Sequence, residues 1–225
     1  MADYINSNIL CQAYVHIEPV DLSSADIDRI KQVLNEFVTA RGQFFLYPEV
    51  DVDVTFKEGS LKKYLTIFGS LYIFLHQYPD FREGVILFSN DVKRLGESIV
   101  SESLFLARAR HQNTLRTEAR TGVVGSLREL VDDITYVEEH IGATTAEHLH
   151  RRLRLARIRA QNLMEVLADD KDRTLVSEKL SEIVIALPEA PPPPPKKRHP
   201  LGALAVFKKE RESLLEALKP RKKIS

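Results

Sequence analysis

Five consecutive prolines at positions 191–195, with Pro188 just before them, constrain this chain more than any other feature. Proline lacks a backbone N–H and fixes φ, so neither a helix nor a central strand can run through such a stretch. The run divides the sequence into a body over residues 1–187, a proline-rich linker over 188–200 and a tail over 201–225. In polyproline geometry, residues 188–195 span about 25 Å at ~3.1 Å per residue.

Charge follows the same partition. Residues 1–195 hold 22 Lys+Arg against 29 Asp+Glu, a net of −7, and residues 196–225 hold 10 against 3, a net of +7. The formal net charge of zero thus conceals an acidic body and a basic end. A segment of this kind meets something anionic: a membrane, a nucleic acid or an acidic protein surface.

With 44% hydrophobic residues the body has enough apolar material for a core of its own. A single cysteine, Cys11, excludes an intrachain disulfide and a thiolate zinc cluster, in keeping with a reducing cytoplasmic setting. The start Met1-Ala2-Asp3 has neither the basic patch nor the apolar run of a secretory signal.

Along the body, residues 9–17 are β-rich and read as a strand. Ser23 and Ser24 open a helix in which Ile27, Ile30, Val33, Leu34 and Phe37 repeat at helical spacing, closed by Gly42. Residues 50–56 alternate, with Val50, Val52, Val54 and Phe56 on one face and Asp51, Asp53 and Thr55 on the other, as a half-buried strand does. From Leu61 the chain reads as helical. The most apolar stretch, 61–77, is expected to be a central buried helix. Pro79 breaks it, and Asp80 with Glu83 forms a capping box for the next helix, which runs through Val85, Phe88, Val92, Leu95 and Ile99. Gly122 and Gly125 mark a helix entry, and Val124, Leu127, Leu130, Val131, Ile134 and Val137 form its stripe. Thr144 with Glu147 reads as a second capping box, followed by inward Leu149, Leu153, Ala156, Leu163 and Val166. A short helix over 175–186 ends the body. The expected fold class is α+β, mostly helical. A small N-terminal β-α-β unit leads into a bundle of about five helices, then a proline linker and a short C-terminal helix. Two strands alone rarely make a stable sheet, which argues for support from helices or from a second copy in a homo-oligomer.

In the tail, Leu201, Leu204, Phe207, Leu214, Leu215 and Leu218 outline one amphipathic helix, interrupted by Arg211. Lys196, Lys197 and Arg198 precede it, Lys208 and Lys209 sit within it, and Arg221, Lys222 and Lys223 follow. Apolar anchors with flanking cations suit a membrane-surface helix, a phosphate backbone or an acidic protein groove. Pro191, Pro194 and Lys196 match the P-x-x-P-x-K ligand pattern, as any five-proline run followed by lysine does, and the plain reading is a stiff spacer.

Other candidates are weaker. The apolar segment 64–78 is too short to span a bilayer, which takes about 20 residues, but with the basic tail it supports a membrane-associated alternative. Arg151, Arg152, Arg154, Arg157 and Arg159 form a dense cluster that suits phosphate binding or, more ordinarily, salt bridges to neighbouring acids. His140, Glu147, His148 and His150 lack a convergent metal spacing. Asp51 and Asp53, with Lys57, are the best acidic pair for catalysis and a poor one. No phosphate-loop, dinucleotide or nucleophile-elbow motif is present. These readings favour a non-enzymatic, cofactor-free adaptor, cytoplasmic, whose basic tail docks on a protein partner or on its own acidic body. Membrane-peripheral association and nucleic-acid binding stand as alternatives.

Overall fold

β1 (Asn8–Ile17) does not depend on helices or a second copy for its pairing. It lies between β3 (Leu61–Gly69) and β4 (Thr114–Arg120), with β2 (Asp51–Lys57) outside β3, in one antiparallel sheet of order β2-β3-β1-β4. The computed structural model describes residues 8–18, 23–46, 50–57, 61–196 and 198–220. It is α+β and mostly helical, as expected. The helices accompanying the sheet are α1 (Ser24–Leu46), α2 (Leu71–Leu75) and α3 (Phe81–Leu106). Leaving aside the short α2, the order β-α-β-β-α-β with interleaved halves is the split β-α-β arrangement.

Two of the four strands depart from the sequence reading. Residues 61–77, expected to be one buried helix, are strand β3 followed by the five-residue α2. Leu65 and Ile67 are buried on one face of β3, while Tyr64 is exposed and Thr66 half-buried on the other, so the true period is two. A run without charge from Tyr64 onward on either face hides that period. β4, which the sequence reading leaves unassigned, alternates Leu115, Thr117 and Ala119 with Arg116, Glu118 and Arg120.

α1 buries Ile30, Leu34, Val38, Gly42 and Leu46 in one stripe. Gly42 does not end this helix, which runs a further turn to Leu46. A Cβ there would lie 2.9 Å from Val50 Cγ2, so the glycine serves close packing. α3 begins at the expected cap: Glu83 N–H donates to Asp80 Oδ1 at 2.7 Å. Its buried face of Val85, Phe88, Val92, Leu95, Gly96 and Ile99 covers the inner face of the sheet. A Cβ on Gly96 would lie 3.2 Å from Cys11 Sγ and 3.0 Å from Ala119 Cβ. Cys11 is accordingly buried, and desolvation pushes its thiol up to about 12, as fits an inert core thiol. Among the inner-face residues Lys63 is wholly buried. Its Nζ donates to Ser103 O at 3.3 Å, and burial pulls its ammonium down to about 8.

The chain divides between Gly125 and Ser126 into two compact units, not at the proline run. Unit 2 contains most of α4 (Gly122–Glu139), then α5 (Ala146–Val166), α6 (Asp170–Ala186) and α7 (Ala203–Leu218); of the helices expected in the bundle, the one opened by Asp80 is α3 and belongs to unit 1. The proline segment and α7 belong to this unit. Counted by unit, residues 1–125 hold 13 Lys+Arg against 16 Asp+Glu, a net of −3, and residues 126–225 hold 19 against 16, a net of +3. The sharp split along the sequence softens because the basic tail shares a unit with acidic helices.

α7 packs on α5 and α6. Ala203, Phe207, Arg211, Leu214 and Leu218 form its buried stripe, so Arg211 belongs to the stripe it interrupts in sequence. Its guanidinium donates from Nε to Val184 O at 3.2 Å and from Nη2 to Ile185 O at 2.8 Å. These carbonyls lie in the last turn of α6, where intrahelical donors run out, and a cation there also opposes the negative end of the helix dipole. The proline segment is packed too: Pro191 and Pro194 are buried. His199 binds it to α5, with Nε2 2.9 Å from Pro191 O and Nδ1 accepting from Ala146 N–H at 3.1 Å. The capping box expected from Thr144 and Glu147 does not form; Thr145 is the N-cap without a side-chain bond, and His199 receives the helix's first N–H instead.

Candidate functional site

The inner face of the sheet is covered by helices, and its outer face carries a concave surface open to a ligand. A shallow groove of about 230 Å³ is lined by Gln12, Tyr14, Tyr64, Thr66, Arg116, Glu118 and Arg120 among others. Antiparallel register aligns these residues in rows. Thr55, Tyr64, Tyr14 and Glu118 lie side by side in one row, and Asp53, Thr66, Gln12 and Arg120 in the next. Lys62, His16 and Arg116 occupy the row on the other side. Every one of these positions is on the outward half of the pleat.

Tyr14 and Tyr64 form the centre. Their rings lie 4.7 Å apart, tilted by 42°, and Tyr64 is 39% exposed. The guanidinium of Arg116 lies 5.8 Å from the Tyr14 ring centre, a cation–π contact. Burial, then the neighbouring Tyr64, raises the Tyr14 hydroxyl above its ordinary value. Glu118 pairs with both Arg116 and Arg120. The hydrogen bond from Arg116, with that from Arg120, holds its carboxyl below the usual range. Two guanidiniums sharing one carboxylate leave the basic side of the groove cationic, while Asp51 and Asp53 make the β2 side acidic. The site offers aromatic faces and a polarised rim, which is the chemistry of binding.

The site draws on β3 and β4, neither of which is predicted as a strand, so its residues are not among the candidates expected from the sequence. Period-two alternation of Arg116, Glu118 and Arg120, and of Lys62, Tyr64, Thr66 and Phe68, was the available signal.

Residues singled out from the sequence are placed as follows. In unit 2, Phe207 and Leu214 are buried, Leu215 is half-buried and Leu204 is 38% exposed. Lys208 pairs with Glu189 at 2.8 Å on the surface; Lys196, Arg198 and Lys209 are exposed. Lys197, Arg221, Lys222 and Lys223 lie outside the described residues. Arg151 pairs with Glu147, Arg157 with Glu210 at 3.0 Å, and Arg154 is exposed. Asp133, fully buried on α4, faces Arg152 at 2.7 Å without hydrogen-bond alignment and is bonded by Arg159. Arg159 also meets Glu129 at 3.1 Å. The arginine cluster is thus largely an ion-pair network within the unit. Val166, expected inward, is 60% exposed. Asp51 and Asp53 are exposed on β2, where Thr55 Oγ1 donates to Asp53 Oδ2 at 3.2 Å. Among the described residues no group of three or more His, Cys, Asp or Glu converges as a metal site requires, and no helix is long and apolar enough to cross a membrane.

No family model, curated protein or solved structure matches the chain.

Proposed function

We propose that this chain is a non-enzymatic interaction protein that docks its C-terminal helix on its own chain and meets its partner through the outer face of the unit 1 sheet. The observation that carries the reading is the Tyr14–Tyr64 pair beside the Arg116–Glu118–Arg120 bridge in an open groove. Aromatic and arginine side chains supply most of the energy in many interfaces. The self-docking half of the reading is supported by the buried stripe of α7 and by the bonds from Arg211 to the end of α6. Such docking rests on buried apolar area, which salt does not screen as it screens surface ion pairs.

The test is site-specific photo-cross-linking of the full chain in native lysate. One sample carries a photoreactive residue in place of Thr66 in the groove, the other in place of Lys209 on the exposed side of α7. A defined macromolecular product from position 66, absent from position 209, is the expected result. Products confined to position 209 would return the partner site to the tail and overturn this reading.

A further inference from the structure

We infer that the outer sheet face binds single-stranded nucleic acid, with a base stacked on the Tyr64–Tyr14 pair and backbone phosphates on the Arg116, Arg120 and Lys62 side. This rests on the proposed role of that face and names its occupant.

The groove excludes most alternatives by size and chemistry. Its volume of about 230 Å³ lies below the roughly 300–1,000 Å³ of pockets that enclose a drug-sized ligand. It is open and shallow, so a planar group laid on it fits better than a molecule engulfed by it. Tyr64 is exposed and close to Tyr14, which gives two neighbouring π surfaces at the middle of the two central strands. Stacking on exposed aromatics is tolerant of sequence, because every base has a π face, and unstacked single strands offer those faces while duplexes do not.

Charge around the stack is uneven. Arg116 and Arg120 border Tyr14 on the β4 side, and Lys62, on β3 beside Tyr64, extends the row of Arg116 and His16 across the sheet. On β2, Asp53 lies one row from the tyrosines and Asp51 one row further. A polyanion crossing the face would run its phosphates along Arg120, Arg116 and Lys62 and away from Asp53. Glu118 is the built-in competitor: it occupies both arginines and holds Arg116 over Tyr14. Phosphate binding must therefore displace Glu118 from at least one guanidinium. Removing the Glu118 charge frees both arginines and should strengthen binding. An interface for an apolar or basic partner would give the opposite response or none.

The test measures fluorescence anisotropy of the full chain with labelled mixed-sequence single-stranded RNA and DNA of about 12 nucleotides, beside the matching duplexes, over a salt series. Wild type should bind at least one single strand more tightly than its duplex, and the tighter of the two identifies the natural strand. Tyr64→Ala should weaken binding about five- to fifty-fold, with Tyr64→Phe restoring it, because the ring and not the hydroxyl stacks. Glu118→Gln should tighten binding several-fold and steepen the salt dependence toward a log–log slope of about −2, the value for three single-strand phosphate contacts at roughly −0.7 each. Circular dichroism and sedimentation of each variant check fold and self-association. Absence of single-strand binding at low salt overturns the inference. So does binding that is indifferent to Tyr64→Ala and weakened by Glu118→Gln, or a shift from dimer to monomer in Tyr64→Ala with no change in nucleic-acid affinity. A protein cross-linked at position 66 together with no nucleic-acid binding would leave the proposed function standing and remove only this occupant.

Discussion

Arginines crowd the middle of α5 in unit 2, and a smaller set of arginines and tyrosines crowds the outer sheet face in unit 1, yet the two surroundings treat them differently. On α5, Arg151, Arg152, Arg157 and Arg159 each meet a carboxylate, and Arg159 meets two. On the sheet, Arg116 and Arg120 divide one carboxylate between them beside two tyrosines. The same contrast holds for apolar groups. Phe207, Leu214 and Leu218 of α7 are wholly buried, whereas Tyr64 stays 39% exposed. A basic, apolar-striped segment is therefore no guide by itself to a binding surface. What distinguishes the two is whether the neighbouring elements have already supplied the partner charges and the cover.

The contrast breaks most visibly if the tail is removed. A chain ending at Leu187 loses three fully buried side chains of α7, each worth about 1.5–3 kcal/mol, and exposes the faces of α5 and α6 beneath them. Unit 2 should lose about 5 kcal/mol or more, read as loss of its cooperative thermal transition. A free, partner-seeking tail would leave that transition in place.

Lys63 sharpens the contrast inside unit 1, where a buried ammonium donates to the Ser103 carbonyl, whereas the buried charge of Asp133 is met by the guanidiniums of Arg152 and Arg159. Its folded value of about 8 lies below the ordinary 10.5. Between those values the unfolded chain binds the proton and the folded chain does not, so stability rises with pH from about 8 to 10.5, by ~1.4 kcal/mol per unit at most. Below pH 8 both states are protonated and the folded state bears the full cost. Lys63→Met should therefore stabilise unit 1 at pH 7 by about 2–3 kcal/mol and abolish that alkaline rise in denaturant midpoints. An unchanged pH profile in the variant would show that the Nζ reaches water.

Arg211 tests whether the cation in the α7 stripe is structural. Arg211→Leu makes the stripe wholly apolar but removes the donors to Val184 O and Ile185 O. Hydrogen bonds to charged groups contribute about 1.5–3 kcal/mol, so unit 2 should lose about 2 kcal/mol by chemical denaturation. A gain in stability would mean that packing outweighs those bonds. The smallest effect belongs to the open face. Tyr64→Phe should change stability by less than about 0.5 kcal/mol, as expected where a surface is kept for binding. A larger loss would make its hydroxyl part of the framework.

Several elements were legible in the sequence because their signals are local. Alternation at 50–56, the Asp80 cap and the stripe from Val124 to Val137 each depend on residues within a few positions of one another. The errors share the opposite property. Gly42 was read as a stop, but its role is set by Val50, and Thr144 was read as a cap, but the first N–H of α5 goes to His199. β3 reads as helix because from Tyr64 onward neither of its faces carries a charge, and only the neighbours β1 and β2 define which face is inner.

By itself the sequence determined that this chain is a mixed, mostly helical protein, that its proline run cannot lie inside a helix, and that its basic charge gathers at one end. Periodicity, proline geometry and charge are properties of short stretches, so one dimension suffices for them. Only the tertiary structure decided that the proline run and the tail helix are packed parts of unit 2, and that Arg211 completes the end of α6. It also decided that Tyr14, Tyr64, Arg116 and Glu118, drawn from three strands, meet on one face. Those outcomes depend on pairing between residues far apart in the chain, where burial and charge neutralisation are settled by whichever partner the fold brings near.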